Sequence, residues 1–410
     1  METTHTSVLR TATDTNTVPL RWVERLFVRL LRRLRSGRLR IEFPSGAQCV
    51  VGEQDLPQVN LQIQHPSFFK KVLRGGSVGF GEAYVEGLWT TNDLSALLKL
   101  LARNQQDVGR LRKGFSYLTQ RLNRVGHVAR RNTRVKSRQN IQEHYDLSNE
   151  FYQLFLDPSM TYSSALFAHY YESLEQAQLN KIDRMLDLAA VGQGDHLLEI
   201  GTGWGALALR AAQRGCRVTT ITLSEAQFAL AQQRFAAAGV SEQIDLRLQD
   251  YRDLDGRFDA VVSCEMIEAV GHEYLASYFE TIRDCLKPRA RAVLQAITIP
   301  DDRYAAYCSS CDWIQKYIFP GGHLPSPGAI QAQVDAAREI KVILSESFGR
   351  HYAETLRRWA KAFNHNRSEL SALSFDSKFQ RKWNYYFSYC EAGFDTDFID
   401  VKHIVIKRKD

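Results

Sequence analysis

Residues 199–205 read Glu-Ile-Gly-Thr-Gly-Trp-Gly, a glutamate followed by glycines at every second position. They close His196-Leu197-Leu198-Glu199-Ile200, a short apolar run of the kind a buried strand uses. Glycines beyond the carboxyl end of such a strand let backbone approach a ligand with no Cβ in the way. The spacing is not the Gly-x-Gly-x-x-Gly of dinucleotide sites, and no Lys-Ser/Thr follows to hold phosphate. The loop therefore suits an uncharged nucleoside. Thr222-Leu223-Ser224-Glu225-Ala226-Gln227 is placed to meet ribose hydroxyls, and Asp250-Tyr251 to contact adenine. Together these turns have the layout of an S-adenosylmethionine site. Glu268 lies on a mostly apolar segment, Cys264 to Val270. Buried there without a partner, its carboxylate would cost on the order of several kcal/mol. A bound anion sharing a proton, or a strong donor, is then expected beside it; the alternative is an exposed helical glutamate.

Strands and helices must alternate to position these turns, and the sequence supplies them. Expected strands are 196–200, Arg217–Thr222, Ile244–Leu248, Phe258–Cys264 and Ala290–Ile297, with helices Ala206–Gln213 and Glu225–Ala238 between them. That alternation predicts an α/β, doubly wound parallel sheet. Nearer the N-terminus, Leu39, Ile41 and Phe43, then Val59, Leu61 and Ile63, alternate as in a small antiparallel sheet. A short helix (Ser67–Leu73), a glycine-punctuated stretch (Gly75–Gly87) and an amphipathic helix through Leu94, Leu97, Leu98 and Leu101 complete a small α+β domain over 37–105. Gly79-Phe80-Gly81 lacks both a preceding buried strand and a third glycine, so it is no nucleotide loop.

The 410 residues are 44% hydrophobic and 24% charged, which excludes collagen, bulk disorder and low complexity. No apolar stretch is long enough to span a bilayer. The Thr-rich residues 1–19 read as a disordered tail without a signal peptide, so a cytoplasmic protein is expected. The net charge of +7 is unevenly placed. Residues 106–139 form a basic connector, and over 20–36 Val23, Leu26, Phe27, Leu30, Leu31 and Leu34 recur at helical spacing opposite a run of arginines. Such a helix suits the inner face of an anionic membrane, or equally packing on its own protein. Seven scattered cysteines read as reduced thiols. Cys308 and Cys311 make a single CxxC with no second pair at zinc spacing, so no metal site is expected.

Several segments resemble the cyclopropane fatty acid synthase family: residues 142–149 (Gln-Glu-His-Tyr-Asp-Leu-Ser-Asn), Tyr162-Ser163-Ser164-Ala165, residues 198–205, Thr222-Leu223-Ser224, residues 265–272 (Glu-Met-Ile-Glu-Ala-Val-Gly-His) and residues 317–322. The likeness spans roughly 140–410 and implies a Rossmann-like class I methyltransferase catalytic domain. Less specifically, Ala83-Tyr84-Val85-Glu86-Gly87 resembles the N-terminal lipid-engaging domain of full-length bacterial members. The resemblance implies methyl transfer from S-adenosylmethionine to a cis double bond of an unsaturated phospholipid acyl chain. A carbocation forms and a bound bicarbonate takes one proton as a cyclopropane ring closes. By motif match the cofactor falls to Tyr162, Ser163, Glu199, Gly201, Gly203, Gly205, Thr222, Leu223, Ser224, Gln227, Asp250 and Tyr251. Bicarbonate falls to Glu268, Tyr352 and the Ser164 and Ile297 backbones. Cys390 stands where the family has its supposed active-site cysteine, although a structural thiol fits it as well. A homodimer is also implied.

Two departures stand out. Ser164 replaces a cysteine whose contact runs through backbone, and Gln295 replaces a histidine. Glutamine hydrogen-bonds but relays no proton, so slower proton loss would let the cation settle as a methyl- or methylene-branched chain. Aromatic residues such as Tyr304, Tyr307, Trp313, Tyr317 and Phe319 could stabilise that cation or simply form core. Beside the cyclopropane and branching readings stand a nucleic-acid-binding protein, suggested by the arginines but lacking any recognisable binding motif, and a lipid scaffold with decayed catalysis.

Overall fold

The computed structural model describes residues 13–14, 18–32, 34–53, 56–104 and 147–410. The basic connector 106–139 and residues 142–146 of the first family-like segment lie outside them. The described residues form two compact units. The first takes those up to 104 together with Asp376–Thr396; the second takes those from 147 to Phe375 and Asp397–Asp410. The helix Ser377–Asp395 thus belongs with the N-terminal elements, although the expected catalytic span 140–410 had included it.

In the first unit, β1 (Thr13–Asp14), β2 (Arg38–Glu42), β3 (Gln48–Gly52), β4 (Gln58–Ile63) and β5 (Trp89–Thr90) form a sheet in the order β1-β3-β2-β4-β5. β1 falls inside the tail expected to lack structure and pairs with β3. β2 and β3 make the antiparallel hairpin, but β2 and β4, expected antiparallel, run parallel. The helices are α1 (Trp22–Leu31), α2 (Ser67–Val85) and α3 (Leu94–Arg103). α2 carries the helix through the glycine-punctuated stretch, with one break at Gly76 (φ 57°). A Cβ at Gly79 would meet the Lys71 carbonyl oxygen at 2.3 Å, so only glycine lets the two halves of the kink approach. α1 packs on its own unit through Glu24, Val28 and Leu31, with Phe27 set edge-on to Phe68 and Phe69. Its other face leaves Trp22 73% and Leu26 39% exposed among Arg21, Arg25 and Arg29.

The second unit holds β6 (His196–Ile200), β7 (Arg217–Thr222), β8 (Ile244–Leu248), β9 (Phe258–Cys264), β10 (Leu286–Thr298), β11 (Ile340–Ser347) and β12 (Asp400–Arg408), in the order β11-β12-β10-β9-β6-β7-β8. β6 to β10 are parallel neighbours, as expected, and β12 is antiparallel to both β10 and β11. The helices are α4 (Asn149–Gln153), α5 (Leu174–Ala189), α6 (Ala206–Gln213), α7 (Glu225–Ala237), α8 (Leu275–Cys285), α9 (Asp301–Cys308), α10 (Trp313–Tyr317), α11 (Pro327–Ala337), α12 (Gly349–His365) and α13 (Arg367–Ala372). Tyr278, Phe279 and Ile282 pack one cluster with Leu198 and Val261, while Met185, Leu207 and Phe235 pack another with Leu197 and Val262. Burying each large apolar side chain is worth about 1.5–3 kcal/mol, which fixes the helices to the sheet. β7 and β9 flank β6, so strand order reverses between β6 and β9, where an open α/β sheet forms its ligand crevice. No helix among the described residues is long and apolar enough to cross a membrane.

Candidate active site

Both chemical segments meet at that reversal. The loop after β6 turns on Gly201, Gly203 and Gly205, with φ of 102°, 53° and 89°. The Gly201 and Thr202 amides donate to the Ile221 carbonyl, tying the loop to β7. A Cβ at Gly205 would lie 2.7 Å from the Phe235 ring, whereas one at Gly203 would meet nothing within 4 Å. The loop is thus pressed against α7 at one end and open in the middle, a cradle of the shape a nucleoside requires. Arg234 holds it from behind, donating to the Ser159 and Trp204 carbonyls at 2.8 and 2.7 Å.

The polar residues assigned to cofactor are largely engaged with one another. Glu199 points inward and accepts from the Thr220 hydroxyl, which lies 2.7 Å from that of Thr202. Burial raises the Glu199 carboxyl to about 8, with Lys181 opposing the rise. Thr222 Oγ1 donates to Gln227 Oε1 at 3.0 Å and accepts from the Ser224 amide, while Ser224 caps α7 by accepting from the Gln227 amide. Asp250 is paired with Arg252 at 2.6 Å, and Tyr251 is buried edge-on to Tyr278. Leu223 is half-buried. Ser163 accepts from Lys181 Nζ at 2.7 Å. Tyr162 joins an aromatic wall, its ring 5.3 Å from Tyr152 and 5.2 Å from Trp359. Backbone and aromatic faces are therefore what this cradle offers, and they fit the uncharged nucleoside of S-adenosylmethionine.

Across the crevice stands a group to which the sequence reading gave no role. Glu265, at the end of β9, adopts φ 50°, a left-handed conformation rare outside glycine. Its buried carboxylate accepts from the Ser164 amide (2.9 Å), Gln295 Nε2 (2.8 Å) and the Tyr352 hydroxyl (2.7 Å). Ser164 and Tyr352 are two of the four groups expected to hold bicarbonate. A third, the Ile297 amide, donates to Glu268, the fourth. With these donors committed to carboxylates already in place, a bicarbonate ion does not fit among them.

Glu268 Oε2 is buried and makes no hydrogen bond among the described residues. Burial, then the charge of Glu265, raises the Glu268 carboxyl to about 8. Burial also raises Glu265, but its three donors pull it back, as does the charge of Lys181. Two neighbouring buried carboxyls share their protons. Three donors on Glu265 against two backbone amides on Glu268 favour the negative charge on Glu265 and the proton on Glu268.

Behind Glu265, Gln295 donates from Nε2 to Glu265 and to the Ser164 carbonyl at 3.2 Å, and its Oε1 faces His403 Nε2 at 3.0 Å. Because the carboxylate and the carbonyl only accept, the amide nitrogen must face them. His403 therefore carries its proton on Nε2. Burial pushes His403 down to about 3, so it stays neutral. Lys181, 1% exposed, sits nearby, its Nζ also 3.5 Å from Cys264 Sγ. The sequence reading assigned no role to Glu265, His403 or Lys181. For Glu265 a signal existed, a second acid three residues before Glu268 on an apolar segment. For the other two none did, since both reach the site through tertiary packing. Cys390 lies on the helix Ser377–Asp395, in the first unit rather than the unit that holds Glu265 and Glu268.

Residues 132–404 match the profile of the family described as mycolic acid cyclopropane synthetase. The tuberculostearic acid methyltransferase UfaA1 of Mycobacterium tuberculosis is 41% identical over 382 residues, 91% of this chain and 88% of that one. The cyclopropane-fatty-acyl-phospholipid synthase of Escherichia coli K12 is 32% identical over 354 residues, 85% of this chain and 88% of its own. The crystal structure of mycolic acid cyclopropane synthase CmaA1 complexed with SAH and CTAB superposes with a TM-score of 0.62 at 31% identity, covering 66% of this chain and 98% of that one.

Proposed function

This chain belongs to the mycolic acid cyclopropane synthetase family of S-adenosylmethionine-dependent methyltransferases, and from that premise we propose that it methylates a cis double bond in a phospholipid acyl chain with Glu265 as its base. Bound S-adenosylmethionine supplies the methyl group, which adds to one alkene carbon and leaves positive charge on the other. The aromatic faces of Tyr162, Tyr352 and Trp359 and the charge of Glu265 are suited to stabilise that cation. Glu265 then takes one proton from the new methyl. Loss of that proton at once closes a cyclopropane ring. After a hydride shift that moves the cation onto the methyl-bearing carbon, it leaves a methylene branch on the chain instead. Either product has gained one CH2.

The observation that carries this reading is the Glu265 carboxylate seated on the Ser164 amide and the Tyr352 hydroxyl. The three donors offset part of the basicity that burial gives Glu265, and the Gln295–His403 pair behind it offers no titratable relay. Slow proton loss favours the hydride shift, hence the methylene-branched chain. Likeness to a tuberculostearic acid methyltransferase supports that outcome. The ring remains the second reading, favoured by likeness to the Escherichia coli synthase. The exposed face of α1, with Trp22, Leu26, Arg21, Arg25 and Arg29, suits docking on anionic headgroups.

The test mixes purified protein, S-adenosylmethionine and liposomes of a cis-monounsaturated phospholipid, in buffers purged of or supplemented with bicarbonate. Mass spectrometry reads the added CH2, and proton NMR separates upfield ring protons from terminal-methylene olefinic signals. Turnover without bicarbonate is expected, with olefinic signals surviving in the product. A strict requirement for bicarbonate would remove Glu265 from the role of base. Ring protons alone would return the product to cyclopropane.

A further inference from the structure

A second cluster, on the far side of the Glu268 turn, has ligand chemistry that methyl transfer does not use. His272 opens the single-turn helix His272–Tyr274, Cys308 ends α9, and His323 follows the Gly321-Gly322 turn beyond α10. Their ligand atoms all lie within 4.8 Å of one another. Tyr304, one helical turn before Cys308, puts its hydroxyl between the imidazoles, 3.0 Å from His272 Nδ1 and 2.9 Å from His323 Nε2. The Cys308 thiol lies beside the same hydroxyl. His323 is buried, Cys308 half-buried and His272 exposed, so the cluster has a fixed floor and an open side through which an ion can enter.

We propose that His272 Nδ1, Cys308 Sγ and His323 Nε2 form a binding site for a thiophilic divalent cation of the zinc class, with the Tyr304 hydroxyl or a water as fourth ligand. Two imidazoles and a thiolate are the donor set zinc prefers, whereas magnesium and calcium take oxygen shells. Zinc bonds of about 2.0–2.3 Å in a tetrahedron set ligand atoms about 3.3–3.8 Å apart. The ligand atoms, within 4.8 Å of one another, need to draw in by about 1–1.5 Å at most to reach that spacing. Binding converts the Cys308 thiol to thiolate and releases one proton to solvent. Cys311, the partner that sequence spacing suggests, is buried with its sulfur directed at the Asp312 carbonyl. The true partners of Cys308 are thus histidines 36 residues before and 15 after it, a grouping invisible to a CxxC reading. The ion would brace the active site from outside, because the His323 amide donates to the Glu268 carbonyl at 2.8 Å. The inference does not depend on the identity of the methyl acceptor.

Full-length protein, reduced and freed of metal with chelator, is titrated with Co²⁺ and the spectrum followed. One equivalent should bring a near-ultraviolet sulfur-to-cobalt charge-transfer band and visible bands of tetrahedral intensity, both abolished by Zn²⁺. Cys308→Ser should lose the charge-transfer band, and His272→Gln, at an exposed position, should weaken binding at least about tenfold. Cys311→Ser should leave the spectrum unchanged. Absence of a saturable one-to-one spectrum, or an unchanged spectrum in Cys308→Ser, overturns the proposal. Far-ultraviolet circular dichroism of each variant confirms that a lost band is not a lost fold.

Discussion

Around the glycine loop the polar side chains satisfy one another, whereas around Glu265 they satisfy a buried negative charge. Thr222, Ser224 and Gln227 close a ring of hydrogen bonds, and Asp250 is held by Arg252. What remains for a ligand there is backbone shape, set by glycine torsions. Across the crevice, backbone and side-chain donors from segments 30 to 101 residues distant converge on one carboxylate. The first region is a shape that receives a neutral group. The second is stored charge, stabilised in advance of the cation it is to meet.

The sharpest way to break this contrast is Glu265→Gln, which keeps the volume and removes the charge. Turnover should fall about 10²- to 10⁴-fold, while S-adenosylmethionine binding, read by calorimetry, changes little. A loss of turnover below about tenfold would mean that the charge does no chemistry. Next in size is the pH dependence of stability. Glu199 and Glu268, both raised to about 8, keep their protons in the folded state after the unfolded chain has lost them near 4.5. Their contribution is complete below about 4.5 and is lost as pH rises through 8. Thermal midpoints of the ligand-free protein should therefore fall across that window, and Glu268→Gln should flatten the slope. An unchanged slope would mean that Glu268 is ionised throughout.

Gly205→Ala tests the other region. Its Cβ would collide with Phe235 in a backbone conformation that alanine resists, costing about 1–3 kcal/mol. Cofactor affinity should drop with the thermal midpoint, and Phe235→Leu should restore part of both. No change in either would show the loop to be looser than its packing suggests. The smallest effect is expected of Gln295→His, which adds a titratable relay beside Glu265. The product ratio by proton NMR should shift severalfold toward the ring, and an unchanged ratio and rate would remove Gln295 from product choice.

Local pattern accounts for what the sequence revealed. β6, β7 and β9 are buried strands and β10 is buried over its second half, so short apolar or β-branched runs announce them, while β8, at the sheet edge, shows only as an alternation. β12 carries Lys402, His403, Lys407 and Arg408, and the exposed side chains of β11 alternate with partly buried ones, so neither gave a continuous apolar signal. The glycine loop was readable because its function lies in its own backbone. The partners of Glu265 were not, since Ser164 and Tyr352 lie 101 and 87 residues away and meet only once the sheet has formed. Gln295 was noticed by its departure from a family pattern, but His403, which sets the orientation of its amide, was not. In the first unit the parallel pairing of β2 with β4 escaped an alternation that fits either direction equally well.

The helix Ser377–Asp395 has a bearing on how the chain matures. Lys99 on α3 pairs with Glu391 at 2.7 Å and also with Asp395, and Arg381 donates to the Tyr84 and Trp89 carbonyls. The unit built on the N-terminal strands is therefore finished by residues that follow most of the second unit in sequence. During synthesis it cannot close until nearly the whole second unit has emerged. A fragment cut after the N-terminal elements would expose the surface that this helix covers, leaving Lys99 without its acids. Translation thus starts the N-terminal unit before the second and completes it only once residues 376–396 have emerged, just ahead of the final strand β12 of the second unit.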